Sequence, residues 1–78
     1  MYTKRKILDA IGCEHLDLTF NRAKDGGRYY YFIFDGPDHY ETHTLNVWRL
    51  SDIPFEDWVS IGKEFAHYER LTMEAKLD

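Results

Sequence analysis

A chain of 78 residues has room for one small core and not for two, since a domain of this size buries only roughly 60 to 65 % of the surface its unfolded chain exposes. Apolar residues make up 44 % and aromatics 17 %, which excludes a disordered chain and supplies enough bulky hydrophobe to build that core without staples. The formal charge of −4 does not favour a nucleic-acid binder, and the single cysteine, Cys13, excludes an internal disulfide, so a reducing cytoplasm is the expected setting.

At the start of the chain, Lys4, Arg5 and Lys6 precede Ile7, Leu8 and the run Ala10-Ile11-Gly12-Cys13, an order superficially like a bacterial lipoprotein signal. Asp9 splits an apolar stretch already too short for a signal core, and no window approaches the ~20 apolar residues of a membrane span, so neither is expected. Thr3 as N-cap, Ile7, Leu8 and Ile11 at helical spacing, and Gly12 just past the end instead predict a short helix over residues 4–11.

From Leu16 the period changes to two: Leu16, Leu18 and Phe20 alternate with Asp17, Thr19 and Asn21, the pattern of a half-buried strand. Lys24-Asp25-Gly26-Gly27 supplies glycines suited to a hairpin loop. Arg28 to Phe34 then reads as a second strand, apolar on both parities as a strand covered on two sides would be. Asp35-Gly36-Pro37-Asp38 breaks it. A third strand is expected between Tyr40 and Leu50, best over residues 42–48, with its facing ambiguous.

Ser51-Asp52-Ile53-Pro54 opens the main helix, with Pro54 in the first turn and Glu56 and Asp57 favourable against the positive end of the dipole. Phe55, Trp58, Val59, Gly62, Phe65, Ala66 and Tyr68 form its apolar stripe, leaving Glu56, Lys63, Glu64, Glu69 and Arg70 outside it, and the pattern reaches about Ala75. No repeat or linker divides the chain, so residues 1–78 form one α+β domain. Its order is α-β-β-β-α, a two-layer sandwich of a three-stranded antiparallel sheet with a long C-terminal helix across one face. Phe20, Phe32 or Ile33, Trp58 and Phe65 are the expected core.

The chemistry-bearing residues do not fall into catalytic patterns. His15, His39, His43 and His67 with Cys13 lack the paired spacing of a zinc site, and His39 and His43 would stand about 13 Å apart on a regular strand. Cys13, Ser51 and Ser60 lack an elbow or an oxyanion loop. Gly26-Gly27 lacks the strand-to-helix context and the lysine of a phosphate loop. The chain is therefore read as a non-enzyme without metal or cofactor.

The element order resembles that of the double-stranded-RNA-binding domain in topology. Such domains grip phosphates with lysines at the start of the final helix, where this chain has Pro54, Phe55, Glu56 and Asp57, so direct nucleic-acid binding is disfavoured.

Protein binding uses more of the features. Residues 1–28 carry six bases against four acids and residues 29–78 four against ten, with six of those acids between positions 35 and 57. Tyrosine and acid together predict a partner-binding surface of Tyr29, Tyr30, Tyr31, Asp35, Asp38, Tyr40, Glu41, Glu56 and Asp57, complementary to a basic face on a larger protein or nucleoprotein. In size and composition, not in matched residues, the chain resembles small phage or mobile-element inhibitors, anti-CRISPR proteins among them. That resemblance implies blocking of a larger target. A structural or regulatory homodimer, or a small RNA-binding domain of α-β-β-β-α topology, is the alternative.

Overall fold

The computed structural model describes residues 2–22 and 28–77; the expected hairpin loop at Lys24-Asp25-Gly26-Gly27 lies outside them. Helix α1 (Lys4–Ile11) is followed by strands β1 (Leu16–Arg22), β2 (Arg28–Gly36) and β3 (His39–Leu45), a 3₁₀ turn (Leu50–Asp52) and helix α2 (Phe55–Leu77). The strands form one antiparallel sheet in the order β1-β2-β3, so the α-β-β-β-α order expected from the sequence is the fold.

Local chemistry accounts for the boundaries. The Thr3 hydroxyl accepts from the Lys6 backbone N–H at 3.3 Å, and Gly12 takes a left-handed φ of 73° while its N–H bonds to Leu8 O at 3.0 Å, so α1 is capped at both ends. Pro37 and Asp38 make a two-residue turn between Gly36 and His39, with Asp38 at φ 55°. Aspartate tolerates that conformation better than most side chains. The tight turn starts β3 three residues before the stretch predicted for it, and the strand ends at Leu45, where the Val47 N–H folds back on Leu45 O at 2.8 Å. Val47 and Trp48 are thus beyond the strand, not in it.

The opening of α2 also differs from expectation. Leu50–Asp52 forms its own turn, with the Asp52 carboxylate accepting from the N–H groups of Trp48 (3.2 Å) and Arg49 (3.1 Å). Pro54 stands just before the helix, its carbonyl accepting from Asp57 and Trp58, each at 3.0 Å. The Tyr2 hydroxyl lies between two carbonyl acceptors, Leu50 O (2.6 Å) and Ile53 O, which share its one proton, and the Trp58 indole N–H donates to Leu50 O at 2.8 Å. The N-terminal segment and α2 are thereby clamped to one turn.

Strand parity places Leu16, Leu18 and Phe20 of β1, Tyr30, Phe32 and Phe34 of β2, and His39, Glu41, His43 and Leu45 of β3 on one face of the sheet. Both helices cover that face. Ile7 of α1 and Trp58, Ala66 and Met73 of α2 join Leu16, Leu18, Phe32 and Phe34 in the core. Gly62 lets them meet, because a Cβ there would collide with the Ile11 side chain and lie 3.1 Å from Phe32 Cζ.

Phe32 and Trp58 are core residues as expected, whereas Phe20 and Phe65 are half-buried at its margin and Ile33 faces away. Two assignments on α2 are corrected. Tyr68 is 67 % exposed, outside the stripe, while Glu69 is buried within it. The buried positions 58, 62, 66, 69 and 73 recur at intervals of four and three, and that phase carries Tyr68 outward.

Candidate interaction surfaces

With both helices on one side, the other side of the sheet is uncovered by any described element. Helix α1 does not shield it, since α1 shares the layer of α2. This outer face presents Asp17, Thr19 and Asn21 from β1, Tyr29, Tyr31, Ile33 and Asp35 from β2, and Tyr40, Thr42 and Thr44 from β3. In cross-strand rows, Tyr31 lies between Thr19 and Thr44, Ile33 between Asp17 and Thr42, and Asp35 beside Tyr40. The Tyr29 and Tyr31 rings stand 5.8 Å apart, and the Asn21 amide donates to the Tyr29 hydroxyl at 2.5 Å, fixing one ring in place. Tyr40 is 60 % exposed. The described side chains on this face include two carboxylates and no base.

The nine residues expected to bind a partner divide. Tyr29, Tyr31, Asp35 and Tyr40 share the outer face, and Asp38 adjoins it in the Pro37-Asp38 turn. Tyr30 points the other way, its ring 4.8 Å from Phe20 and 5.7 Å from Trp58. Glu41 stands on the helix side of β3. Glu56 and Asp57 occupy the first turn of α2, in the helical layer.

These two acids also lie at the opposite end of the domain from Asp35 and Asp38. Trp58 packs beside Tyr30 near the start of β2, whereas Glu69 meets His39 beside the β2–β3 turn, so α2 runs the length of the sheet. A single negative surface spanning residues 35–57 is therefore not what the fold builds. Closeness in sequence did not survive the traverse of β3.

Sequence reasoning missed a buried polar contact. His39 Nε2 and Glu69 Oε1 are 2.8 Å apart, and Lys76 Nζ lies 2.8 Å from His39 Nδ1. An ammonium can only donate, so Nδ1 accepts and Nε2–H donates to Glu69. Both ring nitrogens of His39 are thus occupied within the fold, and the link ties the last turns of α2 to the start of β3. Glu69 at i+3 from Ala66 and i+7 from Gly62 was the available signal; its charge concealed it.

A shallow cavity of about 420 Å³ opens at the other end between Tyr2, Tyr30, Trp48, Arg49, Leu50 and Ser51. Trp48 is 64 % exposed there, with the Arg28 guanidinium 6.0 Å from its ring centre. Among the described residues, no three of His, Cys, Asp and Glu gather as metal ligands, and no helix is long and apolar enough to cross a membrane.

Comparison with protein-family models, curated proteins and solved structures finds no match for this chain. What fold and surface define is a class: a two-layer α+β domain whose sheet is covered by helices on one face and open on the other.

Proposed function

We propose that the protein is a non-enzymatic binding module that docks the open face of its sheet on a basic surface of a larger protein or nucleoprotein. The observation that carries this reading is the composition of that face: Tyr29, Tyr31, Ile33 and Tyr40 form its apolar and aromatic body, and Asp17 and Asp35 give it negative charge. Tyrosine offers large contact area with few rotamers to freeze, and arginine on a partner can both stack on such rings and pair with the carboxylates. A blocking role, of the kind carried out by small phage or mobile-element inhibitors, follows if the covered surface is one the partner uses. An RNA-binding reading has less support, because a stacking platform needs cations beside it to hold phosphate.

The test is capture of the partner by the wild-type chain, followed by association kinetics with Tyr31→Ala, with Asp17→Asn combined with Asp35→Asn, and with Glu56→Gln combined with Asp57→Asn. The first two changes should weaken binding and the third should leave it intact. The loss from the neutralised pair should shrink as salt shortens the Debye length toward about 8 Å at physiological ionic strength. Binding that depends on Glu56 and Asp57 while ignoring Tyr31 would overturn the assignment.

A further inference from the structure

We propose that two copies of this chain associate through the free edge of β3, antiparallel about a twofold axis at Thr42, joining their three-stranded sheets into one continuous sheet. The Asp35 N–H bonds to His15 O at 2.9 Å, so odd-numbered residues of β2 direct their backbone groups to β1 and even-numbered ones to β3. Phe34, Phe32 and Tyr30 face Glu41, His43 and Leu45. Those three residues of β3 therefore turn their N–H and C=O groups inward, and Tyr40, Thr42 and Thr44 turn theirs outward. No described residue bonds to these outward groups.

The opposite edge is closed by comparison. On β1 the outward groups belong to the even positions, and the Leu18 N–H is taken by the Asp17 carboxylate at 2.8 Å while the Leu16 N–H bonds to Cys13 O at 3.2 Å. Natural sheets protect a bare edge with lysine, proline, a bulge or a covering element. β3 carries neither lysine nor proline, and its residues from Tyr40 to Thr44 are all exposed.

The occupant is specified by self-complementarity. An antiparallel pair centred on Thr42 places Thr42 opposite its own copy, Tyr40 opposite Thr44, and Glu41 opposite His43, each of the latter pairs occurring twice. Thr42, Tyr40 and Thr44 are the residues with outward backbone groups, so they form the hydrogen-bonded pairs. Glu41 and His43 fall at the non-bonded sites between, where opposed side chains come closest. A carboxylate that accepts thus meets an imidazole that donates, on both sides of the axis. An axis at Tyr40 would oppose Glu41 to His39, whose two ring nitrogens are already taken by Glu69 and Lys76, and an axis at Thr44 would oppose it to Val47, so either shift loses this match.

The flank of α2 beside this edge is also dressed for contact. The His43 ring stacks on Phe65 at 5.6 Å, and Thr42, His43, Ile61, Glu64, Phe65, Tyr68 and Glu69 line a groove between strand and helix. Tyr68, 67 % exposed, and Leu71, 53 % exposed, stand along the same side of the helix. A second copy would cover both. A closed twofold contact of this kind is isologous and stops at two chains. It uses the backbone edge and the helix flank; of the outer-face docking residues only Tyr40 stands at this seam, and Tyr31, Asp17 and Asp35, on which the test of that reading rests, do not.

Sedimentation equilibrium of the full chain across the micromolar range, at physiological salt, tests the proposal. The wild type should dimerise. Thr42→Pro removes an N–H that the internal ladder does not use and should give a monomer with the same circular dichroism spectrum. His43→Glu opposes carboxylate to carboxylate twice and should weaken the dimer by about tenfold or more, and adding Glu41→His to it should restore the affinity. That rescue separates cross-strand pairing from the loss of His43 stacking on Phe65, which the second change does not repair. A wild type that stays monomeric throughout overturns the proposal, as does a dimer that neither Thr42→Pro nor His43→Glu weakens. A His43→Glu dimer that Glu41→His fails to rescue overturns the register.

Discussion

Trp58 joins three parts of the fold: its ring stands 5.7 Å from Tyr30 and 6.0 Å from Phe32, its indole N–H reaches Leu50 O, and it is fully buried. Trp58→Ala should therefore cost about 3 to 5 kcal/mol in a denaturant melt, through lost area and a cavity the aromatic neighbours cannot fill. The His39–Glu69 contact makes a different forecast. Glu69→Ala leaves a buried Nε2–H without its acceptor and should cost about 1 to 3 kcal/mol. His39→Phe with Glu69→Leu removes both polar partners and should cost less than the single change, so a double-mutant cycle in the same melt checks the pairing. Trp58 was legible because an indole on an apolar stripe has one plausible place to go. Glu69 was not, because a carboxylate at a stripe position reads as the edge of the stripe until its partner, thirty residues earlier, is known to lie opposite.

At the scale of elements, legibility followed the local determinants. α1 was readable to the residue because Thr3 and Gly12 mark its ends in the chain itself. The β1–β2 pairing was readable from alternation. β3 was misplaced by three residues because its start depends on Asp38 accepting a left-handed φ, and a Gly-Pro-Asp sequence is compatible with a longer loop as well. Gly62 gives the element-scale prediction. In an isolated helix, replacing glycine by alanine would gain roughly 1 kcal/mol. Here the new methyl meets Ile11 and lies 3.1 Å from the fully buried Phe32 ring, and overpacking of this kind costs about 1 to 3 kcal/mol. Gly62→Ala should thus lower the melting temperature. A rise would mean that α1 can retreat from α2 without loss.

Across the whole molecule, the decisive fact is that both helices occupy one side of the sheet, and this is where the sequence was least informative. β2 is apolar on both parities, and alternation within a strand cannot say which parity is covered. The stripe of Ile7, Leu8 and Ile11 said that α1 packs, without saying on which face. The acids between residues 35 and 57 are neighbours along the chain, yet Asp35 and Asp38 stand at the β2–β3 turn and β3 leads away from it to the opposite end, where the first turn of α2 holds Glu56 and Asp57. Sidedness can be measured by comparing two aliphatic residues on adjacent strands. Leu18 lies on the covered face at 1 % exposure, paired with Phe32, and Leu18→Ala should cost about 2 to 5 kcal/mol. Ile33 sits on the open face between Asp17 and Thr42, where Ile33→Thr keeps the β-branched shape and should cost under about 1 kcal/mol. Denaturant melts at low protein concentration, where no second copy is bound, give both values directly. A loss at Ile33 as large as that at Leu18 would mean that the outer face is covered within the monomer, and the tyrosines beside it would then be core rather than docking surface.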